Sequence, residues 1–340
     1  MTQPGLLDLQ VNGFAGVDFN AGSSLTADAI DHALEAMLAT GVTTCLPTLI
    51  TATPDQLAAR FVALDAAIAA SRLGPLMCPG YHLEGPFLNP ASGYAGCHPP
   101  AAMALPDYAL VARLERGLAR PILLVTIAGE LAGAGDFTRQ ARAAGKLVAL
   151  GHSAVSFEQA AAAAEAGATL STHLGNGLPH TLHKLVNPLF AQLAEDRLTA
   201  SFIADGIHLH PSALGVMIRA KGPGRSILVT DAVSAAAAPA GLHPFAGMVV
   251  ERTEDGAVRL PGGTTLAGSA LCLDQAMRNL VAWGIAVPAE AMAMAATRPT
   301  ALLAPALAAH GIARTVASVT WSNDLRPEQV NIGTIVRRMA

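Results

Sequence analysis

Hydrophobic residues recur along the chain in eight short runs, each followed by a stretch with helical patterning. The runs are rich in Leu, Ile, Val and Thr, as expected of strands that are buried on both faces. Eight strands alternating with helices predict a parallel (β/α)8 TIM-like barrel, ahead of an open doubly wound sheet. The runs cover residues 6–12, 43–50, 76–84, 121–129, 146–152, 168–174, 198–206 and 226–232.

Helix start signals stand between these runs. Thr53 is followed by Pro54 and then by Gln56, a residue placed to complete a capping box. Ser156 and Gln159 repeat that spacing. Both patterns predict helices that begin at the next residue.

Two regions fall outside the alternation. Residues 245–266 hold an Asp-Gly pair between alternating runs, which predicts a β-hairpin. The tail contains two strand-like stretches, around 315–321 and 330–336. We therefore expect a barrel domain over 1–309 with a hairpin insertion, and a C-terminal β tail over 310–340 that packs with the hairpin as a small, reduced β appendage. Two or three further helices are expected over 273–306.

Composition narrows the classes of function. Hydrophobic residues make up 52% of the 340 and charged residues 14%, yet no run approaches the ~18 apolar residues of a membrane span. The net charge of −4 and the scattered basic residues argue against a nucleic-acid partner. Four widely spaced cysteines predict neither a disulfide framework nor a thiolate metal site. With no secretory leader visible, we expect a cytoplasmic protein that binds neither membrane nor nucleic acid.

Polar residues end nearly every predicted strand. In a barrel these carboxyl ends converge on one face, where active sites lie. Buried polar groups are costly unless they are paired or bound to a metal, so this clustering favours a site over a purely structural role. The strand-end residues are Gln10, Asn12, Glu84, Glu130, His152, His173, Asp205, His208 and Asp231.

A catalytic metal set can be drawn from these positions. Two imidazoles and one carboxylate, with one coordination position left for water, form such a set, and His152, His173 and Glu84 fit it. Asp231 is the candidate proton carrier. Each has an ordinary alternative, because a lone strand-end histidine is more often structural, Asp231 could cap the next segment and Glu84 could be an ion-pair partner. The joint placement of the histidines on consecutive strands favours the metal hypothesis.

At these residues the sequence resembles the N-acetylglucosamine-6-phosphate deacetylases of the amidohydrolase superfamily. The matching stretches keep the family's order over most of residues 8–300. They are DLQVNGFAGVDFN (8–20), HLEGPFLNP (82–90), GHS (151–153), GAT and THLGNGLP within 167–179, ADGIHLHP (204–211), LVTDA (228–232) and LAGSALCLDQAMRNLV (266–281).

The resemblance implies roles for individual residues. Glu84, His152 and His173 would bind the metal, and Asp231 would be the general base and acid. The substrate would be an N-acetyl amino sugar, most simply its 6-phosphate, and the products acetate and the free amine.

It also implies the residues that bind the substrate. His208 would polarise the acetamide carbonyl, and His98 would contact sugar hydroxyls. Asn176 and the backbone of Gly177 would hold the phosphate end. An arginine from a neighbouring subunit usually reaches that phosphate, and Lys184 stands at its position here, so we expect a homodimer. Lysine can bind phosphate but cannot make the bidentate fork.

The chain departs from the superfamily in two further places. Many members begin with a His-x-His pair that holds a second metal, whereas this chain has Gln10 and Asn12, which we expect to line the site. An amide is a weaker zinc ligand than imidazole, so one divalent ion per subunit is expected, zinc first, with iron or cobalt as alternatives. The family also carries a β segment before the first barrel strand. Either the sequence starts late or that segment is reduced.

Two other functions are compatible with parts of the pattern. The same machinery could deacylate an unphosphorylated N-acyl sugar or another small N-acyl amine, and Lys184 makes that alternative serious. A non-catalytic sugar-binding barrel is the second. It predicts that Glu84, His152, His173 or Asp231 is lost, and all four are present.

Overall fold

Eight parallel strands form the centre of the molecule in a computed structural model that describes residues 2–339. They occur in the predicted order, and the prediction of a (β/α)8 barrel is confirmed. The strands, numbered here as the first to eighth barrel strands, are Leu6–Val11, Val42–Ile50, Tyr81–Glu84, Ile122–Ile127, Leu147–Leu150, Leu170–Ser171, Thr199–Phe202 and Ser226–Leu228.

Each strand pairs with the next in parallel register, as Thr48 does with His82. The first and eighth strands meet through backbone hydrogen bonds: the amide of Asp231 donates to the carbonyl of Gln10 at 3.0 Å, and that of Asn12 to Ala232 at 2.7 Å. These bonds bring the first and last strands together at the carboxyl end of the barrel. Polar residues from both ends of the chain therefore meet at one mouth.

The third strand is shorter than the run 76–84 that predicted it. Gly74–Met77 form a short helix instead, and the strand begins only at Tyr81. Pro75 and Pro79 lack the N–H that a sheet ladder requires, which explains the late start.

Helices follow the strands around the barrel, and both predicted capping boxes are present, at Thr53 with Gln56 and at Ser156 with Gln159. The region 273–306 forms three helices, as expected. The α-helices are Ala27–Ala39, Pro54–Ala70, Gly74–Met77, Tyr108–Glu115, Ala134–Ala143, Phe157–Ala166, Pro188–Ala194, Pro211–Lys221, Leu273–Ala282, Pro288–Ala295 and Thr297–Ala309, with 3-10 turns at Gly22–Ser24, Pro100–Ala102 and Pro223–Arg225. Within residues 2–339, no helix combines the length and apolar character needed to cross a bilayer.

The β appendage consists of two separate sheets. The predicted hairpin is present and carries an extra strand: Gly241–Phe245, Met248–Arg252 and Val258–Arg259 form one antiparallel sheet. Its first turn uses Ala246 and Gly247, both at positive φ, where the sequence offers no Asn-Gly or Asp-Gly signal.

The C-terminal tail forms the other sheet, with three strands rather than two: Ala317–Trp321, Pro327–Ile332 and Ile335–Arg338. Strand Thr2–Pro4, from the other end of the chain, pairs antiparallel with Ala317–Trp321. A two-residue antiparallel pair, Gly13–Phe14 with Val17–Asp18, follows the first barrel strand. The division into a domain over 1–309 and a tail over 310–340 stays a prediction.

Candidate active site

The carboxyl ends of the barrel strands open into a cavity of about 900 Å³. Most of the polar strand-end residues face it, and loop residues complete its wall. The predicted site residues among its lining are Asn12, Glu84, His98, His152, His173, Asn176, Gly177, His208 and Asp231. Gln10 and Lys184 are the predicted site residues outside this lining.

Glu84 lies at the centre of the cluster. It ends the third barrel strand and is only 2% exposed. Its Oε1 is 2.9 Å from Nε2 of His173 and 3.5 Å from Nε2 of His152. Burial works to raise the pKa of Glu84, but the interactions of its carboxylate with these two histidines outweigh it and hold the pKa well below its usual range. Glu84 is therefore an ionised carboxylate at neutral pH.

His98 approaches the other oxygen of the same carboxylate, with its Nε2 3.7 Å from Oε2. Nδ1 of His98 lies 2.9 Å from Oγ1 of Thr51, and that hydroxyl donates to the Glu84 carbonyl. Because the hydroxyl proton is used there, Nδ1 of His98 is the donor, and Nε2 keeps its lone pair. Burial, then the nearby His152, lowers the pKa of His98 to about 3, so the ring is neutral.

His152 is oriented in the same way. Its Nδ1 lies 2.6 Å from the carbonyl oxygen of Tyr94, which can only accept, so Nδ1 carries the proton and Nε2 is free to bind a metal. A ligating histidine whose other ring nitrogen donates to a carbonyl is the usual arrangement at protein metal sites. This hydrogen bond could not be predicted from the sequence, since no motif marks the backbone carbonyl of Tyr94.

The donor set fits a divalent ion. Ligand atoms of Glu84, His98 and His152 all lie within 4.8 Å of one another. His173 contacts Glu84 more closely still, and its buried Nδ1 has no hydrogen-bond partner among the described residues. Neighbouring ligand atoms around a tetrahedral zinc are about 3.3 Å apart. This value lies between the distances from Oε1 of Glu84 to Nε2 of His173, 2.9 Å, and to Nε2 of His152, 3.5 Å. The ligand set predicted from the sequence and the group of Glu84, His98 and His152 share Glu84 and His152 and differ in the third member.

Three of these side chains project from strained backbone. His152, His173 and Asp231 have φ values of 50°, 29° and 50°. Side-chain-bearing residues rarely adopt this left-handed region, and such strain concentrates at functional sites. Each lies just after its strand, where the backbone turns the side chain over the mouth.

Asp231 faces the cluster from the eighth strand. Its Oδ1 accepts hydrogen bonds from Nδ2 of Asn12 at 2.8 Å and from Nε2 of Gln10 at 3.2 Å. Burial, followed by the negative charge of Glu84, raises the pKa of Asp231 to about 6. Of these two residues, which we expected to line the site, Asn12 lines the cavity and Gln10 does not, but both hold the carboxylate of Asp231 in place.

His208 is fixed by Asp205. Nδ1 of His208 lies 2.6 Å from Oδ2 of Asp205, and a carboxylate accepts, so Nδ1 carries a proton. Oδ1 of the same aspartate accepts from the backbone amides of His208 and Ile207. Burial works to raise the pKa of Asp205, but its bonds with His208 hold the pKa below its usual range. Nε2 of His208 is thereby left as the ring's free polar atom.

The outer part of the cavity carries few charges. Asn176 lies on the wall, where its Nδ2 donates to the carbonyl of His173 at 3.0 Å, and Gly177 approaches the ring of His152. The described residues that line the cavity include neither lysine nor arginine. Lys184 is exposed, beside Leu185 and Val186, which are 63% and 64% exposed.

A (β/α)8 barrel whose mouth places three imidazoles around a buried carboxylate, with an aspartate opposite, defines the protein as a metal-dependent amidohydrolase. Comparison with known proteins narrows this class. The N-acetylgalactosamine-6-phosphate deacetylase of Escherichia coli O157:H7 is 33% identical over 301 residues, which cover 88% of this chain and 77% of that protein. The N-acetylglucosamine-6-phosphate deacetylase of Bos taurus is 35% identical over 315 residues, 88% of this chain and 74% of that one.

Solved structures agree. The N-acetyl-D-glucosamine-6-phosphate deacetylase of Mycobacterium smegmatis superposes with a TM-score of 0.86 at 29% identity, covering 99% of this chain and 87% of that chain. No family model matches the sequence. On the identity and coverage of these relatives, the chain belongs to the N-acetylglucosamine-6-phosphate deacetylase family.

Proposed function

We propose that this enzyme hydrolyses the N-acetyl group of N-acetylglucosamine 6-phosphate, giving glucosamine 6-phosphate and acetate. The names of its relatives supply the substrate. The observation that carries the chemistry is the convergence of His152 and His173 on one oxygen of Glu84, with Asp231 facing the same cavity. A variant of the M. smegmatis enzyme has been solved with this sugar phosphate bound.

One divalent ion per subunit, zinc in the first instance, would be held by Glu84, His152 and His173. Oε1 of Glu84 is the oxygen that both histidines border, whereas His98 borders Oε2. When bound, such an ion polarises a carbonyl and lowers the pKa of water toward ~7. Gln10 and Asn12 stand in place of imidazoles, and their amides are weak ligands for a second ion.

Asp231 accepts the proton of the attacking water and passes it to the leaving nitrogen. Its pKa of about 6 leaves it ionised at neutral pH yet basic enough to take a proton. Gln10 and Asn12 hold Oδ1, which leaves Oδ2 as the oxygen for proton transfer.

His208 stabilises the oxyanion that forms on the acetamide carbonyl. Its Nδ1 donates to Asp205, which fixes the ring and leaves Nε2 as its free polar atom for that oxygen. His98 would contact the sugar hydroxyls, and Asn176 with the Gly177 backbone would hold the phosphate end.

The cavity lacks a cation of its own for the phosphate among its described lining. Lys184 of a neighbouring subunit would supply one, in a homodimer that also covers the exposed Leu185 and Val186. We place the enzyme in the cytoplasm, where sugar phosphates are retained by their charge.

The test is acetate release by the metal-loaded enzyme from N-acetylglucosamine 6-phosphate and from N-acetylglucosamine, side by side. We expect a strong preference for the phosphate.

Lys184→Ala should raise KM for the phosphorylated substrate and leave KM for the free sugar unaffected. Arg219→Ala, which removes an exposed cation elsewhere, should change neither KM value. Equal activity on both sugars would refute the phosphate requirement and favour an unphosphorylated N-acyl sugar. Because the described lining of the cavity holds neither lysine nor arginine, deacylation of an unphosphorylated N-acyl sugar is the second candidate function. The 6-phosphate of N-acetylgalactosamine belongs in the same assay.

A further inference from the structure

Glu130 lies beside the active site without a role in the proposed chemistry. It follows the fourth barrel strand, is half-buried and does not line the cavity. Its carboxylate accepts three hydrogen bonds: Oε1 from Nδ2 of Asn89 and from the amide of Ala154, both at 2.7 Å, and Oε2 from the hydroxyl of Ser153. All three donors belong to segments that carry site residues.

The first segment is the one that follows His152. Ser153 and Ala154 are the next two residues, and both bind Glu130. Oγ of Ser153 also accepts from the amide of Gly129 at 3.2 Å. The carboxylate therefore fixes the chain on the carboxyl side of His152, whose φ of 50° requires support from its surroundings.

The second segment is the loop that begins at Asn89. The amide of Asn89 donates to the carbonyl of His152 at 3.1 Å, and its Oδ1 accepts from the amide of Ala91. A few residues on, the Tyr94 carbonyl accepts from Nδ1 of His152, and the loop then delivers His98. By holding Nδ2 of Asn89, Glu130 anchors the loop that orients the His152 ring.

We propose that Glu130 is a positioning residue for the metal centre, which ties the backbone of His152 to the loop 89–98 and so sets the direction of Nε2. This inference rests on the proposed function of the cluster as a metal site. Both partners of Oε1, the Asn89 NH2 and the Ala154 N–H, can only donate, whereas the Ser153 hydroxyl at Oε2 can also accept. Glutamine would keep its carbonyl oxygen at Oε1 but lose the negative charge that strengthens all three hydrogen bonds, which loosens the connection.

The experiment compares wild type with Glu130→Gln, using Glu254→Gln as the matched control, since Glu254 is exposed on the hairpin. Zinc affinity is measured by chelator competition, the absorption spectrum is recorded with cobalt, and the metal-free proteins are unfolded by heat. We expect Glu130→Gln to bind zinc about 10–100-fold more weakly, as outer residues of metal sites commonly do when replaced. The cobalt spectrum should change, saturating metal should restore turnover, and Glu254→Gln should match wild type.

Ser153→Ala is a milder variant that keeps the carboxylate and removes one donor. It should weaken zinc binding about 2–10-fold, the worth of one hydrogen bond. If Glu130→Gln does not fold, the test rests on Ser153→Ala. Wild-type zinc affinity in a folded Ser153→Ala protein would then refute the proposal. Wild-type zinc affinity in folded Glu130→Gln refutes it directly. If the wild-type protein itself binds no divalent metal, the proposed function fails and this inference with it.

Discussion

Replacing Asp231 with asparagine tests the proton carrier without disturbing its surroundings. Oδ1 of Asp231 receives two donors, Asn12 and Gln10, so the asparagine must keep its carbonyl oxygen there. Its NH2 group is then forced into the position of Oδ2, where a proton acceptor becomes a donor. Asparagine also tolerates the φ of 50° at this position, so the local fold is preserved.

Loss of a general base costs about 10²–10⁴-fold in rate, or about 2.7–5.5 kcal/mol of transition-state stabilisation. We expect kcat for acetate release to fall within that range while the metal content stays at the wild-type level, because Glu84, His152 and His173 are untouched. Asp136→Asn makes the same chemical change at a side chain that is 75% exposed and should have no effect. A fully metallated Asp231→Asn enzyme with near wild-type kcat would refute the role of Asp231.

Three further outcomes follow from the structure. His152→Ala should remain folded by circular dichroism but lose metal and activity together, and a fully metallated variant would count against its assignment. Burial raises the pKa of Asp8 to about 7. Because the folded protein holds that proton more tightly, the stabilisation is present at acidic pH and is lost as the pH rises toward 7. Asp8→Asn should therefore lower the unfolding temperature relative to wild type more at pH 5 than at pH 8, and an equal difference at both would contradict the assignment. Phe61→Ala, which removes a fully buried ring 5.6 Å from that of Tyr81, should cost about 3–5 kcal/mol in urea unfolding. A cost under about 1 kcal/mol would contradict that packing.

Much of the barrel could be predicted from the sequence because its signals are local. A buried parallel strand is a short apolar run, and a capping box needs only four residues, so both survive without tertiary information. Since strand ends converge on one face, Glu84, His152, His173 and Asp231 could be expected to meet before their distances were known.

The parts that sequence reasoning missed depend on long-range contacts. His98 was expected in the site, but not its approach to Glu84, because hydrogen bonds to His152 and Glu130 hold the loop that carries it and no local pattern encodes that path. Strand Thr2–Pro4 pairs with a segment more than 300 residues away. The extra strand of the hairpin sheet is connected through a turn at Ala246, a residue without turn preference. The positive φ of Ala246 is imposed by packing.

At His152, His173 and Asp231, where the backbone is left-handed, stability and the proposed activity favour different residues. Glycine at any of these positions would relax the chain by about 1 kcal/mol and remove a side chain that the proposed reaction uses. A mutant library screened for thermostability alone should therefore enrich variants that are more stable and have lost the proposed activity. We therefore expect all three side chains to persist only where the proposed activity is under selection.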